Sequence, residues 1–154
     1  MLVFGSTADR VGGRIVGVGI GRTEAMRGRL QARAPDGESL VVDLPRGQVI
    51  HDGDTFGPSA QGTFYRVRIE PEPVVEVSLK RSGNDRIEDA LRLAYTLGNH
   101  HLEVLMEGDH VYVPVIIGAE KIDAIIGKAG AEVETKVISR VISPGTSGYF
   151  AGED

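Results

Sequence analysis

Residues 73–116, PVVEVSLKRSGNDRIEDALRLAYTLGNHHLEVLMEGDHVYVPVI, decide the fold. PVVEVSL (73–79) is rich in β-branched residues and predicts a strand. Ile87, Ala90, Leu91, Ala94 and Tyr95 then recur at three- and four-residue spacing, one apolar stripe that predicts a helix from about Asp85 to Leu97. Ser82 or Asn84 can cap its start, and Gly98-Asn99 can stop it. LEVLM (102–106) and HVYVPVI (110–116) follow as two strands joined by a hairpin turn at Glu107-Gly108-Asp109.

Outward from this stretch, a second helix is predicted from about Glu120 to Lys128. VETKVISRVI (133–142), again rich in β-branched residues, predicts a last strand. The order β-α-β-β-α-β is that of the ferredoxin-like split unit. Beyond Pro144, GTSGYFAGED reads as a frayed tail. Upstream the period changes to two. RIVGVGIG (14–21), GRLQARA (28–34), LVVDLP (40–45) and TFYRVRIE (63–70) alternate and are separated by turns at Asp36-Gly37 and His51-Asp52-Gly53-Asp54. The expectation is an all-β sandwich or curled barrel. EPEPVV (70–75), with Pro71 and Pro73, breaks the ladder and reads as a linker. The chain is therefore expected to be α+β, with a β-rich domain at 1–72, a ferredoxin-like βαββαβ domain at 73–145 and a flexible tail at 146–154.

Composition narrows the function. The chain of 154 residues has no cysteine, so disulfides and thiolate–metal bonds are excluded and any transition-metal site must use nitrogen and oxygen donors. No stretch approaches the apolar length of a membrane span, and the start is too short in its apolar part for a secretory signal, so the cytoplasm is expected. The net charge of −5 is uneven: residues 1–70 carry 9 Lys+Arg against 8 Asp+Glu, and the rest 8 against 14. An acidic second half argues against a nucleic-acid platform and suits a cation better, although a solvated acidic surface is the blander explanation.

Two stretches carry a family resemblance. LPRGQVIHDGDTF (44–56) resembles the LPRG signature of the first domain of the urease accessory protein UreE family. AYTLGNHHLEVLM (94–106) is similar to that family's helix-ending LGNRH motif and the strand after it. RGRLQARAPDGESL (27–40) fits the same pattern, and the likeness spans roughly Thr23 to Val141. The resemblance implies a first domain similar to the Hsp40 peptide-binding domain and a ferredoxin-like second domain that binds Ni(II) and forms a homodimer. It also implies a non-enzymatic nickel chaperone that works with the accessory GTPase UreG and the urease apoprotein. The family's metal-binding histidine falls on His101, while His100 stands where arginine is usual. The histidine-bearing tail of many members, and the histidines some carry near 113–118, are missing here.

The chemistry agrees with that implication. Imidazole suits nickel, and zinc or copper can compete for the same donors. One imidazole per chain is too few for an ion that takes four to six donors, and consecutive helical residues point about 100° apart, which disfavours a joint grip on one ion by His100 and His101. A two-fold axis that sets His101 of one chain opposite its twin solves the shortage and leaves positions open for delivery. Loading requires neutral imidazole and should weaken as pH falls through roughly 6.5. His110 and His100 are auxiliary candidates, whereas His51 reads as a solvated turn residue. The plain alternative for His101 is a histidine favoured by the helix dipole.

Ile125-Ile126-Gly127-Lys128-Ala129-Gly130 offers a rival reading as the GxxG loop of a KH-type RNA-binding module, with Lys128 on a phosphate. Against it, Val133, Thr135, Val137 and Ile138 predict a strand where such a loop leads into a helix; a helix-capping glycine at 127 or 130 is the bland version. Gly17 to Gly21 lacks the spacing of a dinucleotide fingerprint. No G-x-S-x-G, P-loop or H-E-x-x-H occurs, so no enzyme is expected, and the energy for metal insertion would come from a partner.

Overall fold

Alternation of apolar and polar residues turns the first 70 residues into short strands: β1 Leu2–Phe4, β2 Ile15–Ile20, β3 Arg29–Arg33, β4 Ser39–Asp43, β5 Thr55–Phe56 and β6 Phe64–Ile69. The computed structural model of the chain describes residues 1–150. It divides into two units, 1–70 with 141–146, and 71–140 with 147–150. Among the described residues the chain is mixed α and β, and no helix is long and apolar enough to cross a membrane.

In the first unit the strands form two sheets, ordered β1-β4-β3 and β2-β6-β5. Val18 and Ile20, Leu30, Leu40 and Val42, and Tyr65, Val67 and Ile69 point inward from the two sheets into one core. The expectation of strands alone needs correcting. A short helix, α1 (Arg22–Arg27), joins β2 to β3. Glu24 accepts a hydrogen bond from the Gly21 N–H at 3.2 Å and so fixes its start, while fully buried Ala25 anchors it. It ends at Gly28, which takes φ 66°, and a Cβ there would lie 2.2 Å from the Gln48 carbonyl oxygen. Only glycine fits that place. The LPRG stretch is a turn, closed by the Gln48 N–H on the Pro45 carbonyl at 3.1 Å.

The second unit contains β7 Glu72–Leu79, α2 Gly83–Asn99, β8 Val104–Glu107, β9 His110–Pro114, α3 Ala119–Lys128, β10 Val133–Arg140 and β11 Tyr149–Phe150. The sheet runs β10-β7-β9-β8-β11, with every neighbouring pair antiparallel. Val75, Val77, Val104 and Val113 on one sheet face pack against Leu93 and Leu97 of α2 and Ile122 and Ile126 of α3. At the start of α2, Arg81 donates two hydrogen bonds to the fully buried Asp89, at 2.8 and 2.6 Å. That guanidinium holds the Asp89 carboxyl below the ordinary carboxylate range against the opposing effect of burial.

Three expectations change here. The expected linker EPEPVV shrinks to Glu70 and Pro71, because β7 already begins at Glu72 and pairs with β10 through its whole length. The tail expected from 146 includes a short strand: Tyr149 and Phe150 pair with Leu105 and Val104, and Met106 N–H donates to the Gly148 carbonyl at 2.8 Å. Two adjacent aromatic residues give that segment something to bury, which its polar flanks hid. Residues 151–154 of the expected tail lie outside the described residues. Last, the stripe read along α2 is not its core face. Asp89, Leu93 and Leu97 face the sheet, and Ile87, Leu91 and Tyr95 are two positions out of phase, about 200° round the helix. They are 60, 66 and 76% exposed, a row of large apolar side chains left in solvent.

Candidate metal centre

The end of α2 is built by where its leucines must go. Leu97 is buried in the core and Leu102 packs against the same cluster, so the chain has to reverse within the four residues between them. It does so by a Schellman closure: Leu102 N–H donates to the Leu97 carbonyl at 3.2 Å and His101 N–H to the Gly98 carbonyl at 3.0 Å. The residue at the pivot of this closure must adopt left-handed backbone geometry, a place usually filled by glycine. Here it is His101, at φ 55°, the one non-glycine residue with positive φ among those described. The helix therefore does not stop at Gly98-Asn99 as expected but continues through Asn99. A histidine held in this conformation is mildly strained, and such strain gathers at functional positions.

His101 is exposed and contributes to the wall of a cavity of about 580 Å³ between α2 and the β8–β9 hairpin. The rest of that wall is mainly apolar and includes Leu93, Leu97, Val104 and Phe150. His100, also exposed, donates from Nδ1 to the Thr96 carbonyl at 2.9 Å. That bond satisfies one of the carbonyls orphaned at the helix end and leaves Nε2 with the lone pair. Thr96 could not be found as its partner without the helix boundary.

His110 borders the same cavity, yet its ring is aimed elsewhere. Its Nδ1 lies 2.9 Å from Ser78 Oγ, and its ring centre lies 6.0 Å from that of Tyr112. Ser78 alternates with the core-facing Val77 and Leu79, which puts the His110 ring on the sheet face turned away from α2. His101 and His110 thus share a cavity wall without sharing a ligand direction. His51 sits in the first unit, in a turn where its Nδ1 is 3.6 Å from Asp54. Among the described residues no three His, Asp or Glu side chains come together within one chain.

The GxxG candidate dissolves into helix geometry. Gly127 and Lys128 belong to the last turn of α3, Gly130 at φ 68° ends it, and β10 follows at Val133. Nothing there forms a loop between two helices.

Comparison with known proteins bears on the same region. Residues 66–149 match the family described as UreE urease accessory protein, C-terminal domain. Relatives named urease accessory protein UreE include one from Thermosynechococcus vestitus, 33% identical over 88 residues, 57% of this chain and 58% of that protein. One from Albidiferax ferrireducens is 32% identical over 87 residues, 56% of this chain and 49% of its own length. A third, from Paraburkholderia xenovorans, is 33% identical over 132 residues, 82% of this chain and 51% of its length. The chain spans about half the length of the curated relatives it matches.

Proposed function

Because the chain belongs to the UreE urease accessory protein family, we propose that it is a nickel chaperone, an assembly factor and not an enzyme, that carries Ni(II) as cargo toward urease. The observation that carries this reading is the left-handed His101 at the end of α2. The fold tolerates an unfavourable backbone state there, worth about 1 kcal/mol, and obtains in return an exposed imidazole on a rigid helix end. A ligand on a packed helix is held more closely than one on a loop.

One imidazole is still too few for nickel. The reading supplies the second from a two-fold partner, and the exposed row of Ile87, Leu91 and Tyr95 on α2 supports it, since large apolar rows in solvent mark association surfaces. In an isologous dimer both copies of this row would be covered, and two His101 rings would share one ion with positions left for water or the next acceptor. His100 is offered as an auxiliary ligand, because a ring whose Nδ1 is tied to a carbonyl presents Nε2 in a fixed direction. His110 is the weaker candidate on the geometry above, and zinc or copper are expected competitors.

The βαββαβ order of the second unit, with strands β10-β7-β9-β8, supports reading it as the ferredoxin-like, dimer-forming domain. The first unit is read as the peptide-binding-like domain. The expected partners are the accessory GTPase UreG and the urease apoprotein, in the cytoplasm. Equilibrium dialysis with Ni(II) should find about one tightly held ion per dimer, and His101→Ala should abolish it. Unchanged binding by that variant would remove His101 as the ligand.

A further inference from the structure

We infer that the outer edge of β3 is a docking strand for an extended, acidic protein segment. The inference rests on the reading of the first unit as a peptide-binding-like domain, names the chemistry of what that unit would take, and does not depend on nickel binding. Among the described residues, strand β3 of the sheet β1-β4-β3 has a neighbour on one side only. Its hydrogen-bonding phase follows from two bonds at its ends, Leu44 N–H to the Gly28 carbonyl and Ala34 N–H to the Glu38 carbonyl, both in register with the β3–β4 ladder. Alternation then turns the backbone of Leu30 and Ala32 toward β4, and the backbone N–H and carbonyl groups of Arg29, Gln31 and Arg33 toward the open edge.

The same three residues send exposed side chains to one face, roughly 7 Å apart along the strand. Arg27 stands just before them, and with Arg29, Gln31 and Val41 it lines a shallow cleft of about 440 Å³. Asp43 neutralises Arg29 at 2.9 Å, while neither Arg27 nor Arg33 has an ionic partner among the described residues. An added strand would find backbone partners on the edge and guanidinium groups at alternate positions for its carboxylates. Asp43 on this face and the lack of an aromatic stacking residue disfavour nucleic acid as the occupant. Charged edges also serve simply to block aggregation, and the test must separate the two.

Fluorescence anisotropy of the full chain with a short labelled peptide alternating glutamate and valine gives that separation. Binding should weaken with salt and vanish when lysine replaces glutamate. Arg33→Glu should weaken it roughly 10-fold. Gln31→Pro removes one edge donor without changing charge and should weaken it comparably; proline is tolerated on an edge strand, and an unchanged melting curve would show that the variant folds. Should Gln31→Pro unfold, Arg33→Glu alone decides. Equal binding of the lysine peptide, wild-type affinity in Arg33→Glu, or preference for a single-stranded RNA oligomer would overturn the inference.

Discussion

Helix α3 leaves its last turn through Gly130 at φ 68°, and helix α2 leaves its own through His101 at φ 55°. The hydrogen bonding is alike: Gly130 N–H reaches the Gly127 carbonyl at 3.4 Å, and His101 N–H reaches that of Gly98 at 3.0 Å. The helices pack on the same sheet in the same unit. One end uses the residue that the geometry favours and the other does not. The difference teaches that the end of α2 was not shaped by stability alone. Helix α1, ending at Gly28, sides with α3.

Substitutions can break or sharpen this contrast. The largest effect is expected at the opposite end of α2, where Arg81→Ala strands the buried Asp89 carboxylate and should lower the melting temperature by roughly 10 °C. The pH sign follows from the direction of the shift. Asp89 is held below its ordinary value of 3.8, so its contribution is complete above that value and is lost as pH falls through the lower, folded one. Acid titration followed by circular dichroism should therefore show the variant unfolding at higher pH than the wild type. Gly28→Ala comes next, at about 3 kcal/mol, because its Cβ has no room beside Gln48; urea denaturation measures it. Gly130→His, which copies the α2 ending onto α3, should cost about 1 kcal/mol. There the nearest atom is the mobile end of Arg92 at 3.4 Å, so conformation and not collision sets the loss. Smallest is His100→Ala, about 0.5 kcal/mol from the lost bond to Thr96, with the nickel site weakened only modestly.

The second unit's elements were legible because each was long enough for its period to show; β7, α2, α3 and β10 all lie within a few residues of where the sequence puts them. Helix α1 was not, since six residues give too few turns for an apolar face to repeat. The two-residue strand β11 hid among glycines, although Tyr149-Phe150 was the signal that could have found it. The stripe on α2 is legible as helical, but periodicity cannot say which of two apolar rows meets the sheet. Tertiary contact chose Leu93 and Leu97, and the discarded row became the surface beside the candidate site. The motif points to His101 but says nothing of its backbone state. Gly98 invites a left-handed turn, yet the five-residue spacing of Leu97 and Leu102 fixes the pivot at 101, and that spacing was there to be read.

The most direct test of the account is a Ni(II) titration of His101→Gly set beside its thermal melt, both against the wild-type chain. Glycine relaxes the backbone and removes the imidazole at once. A variant that melts at or above the wild-type temperature and no longer retains nickel is the predicted result. A variant that is less stable and still binds nickel as before would contradict it, leaving His101 an ordinary cap residue.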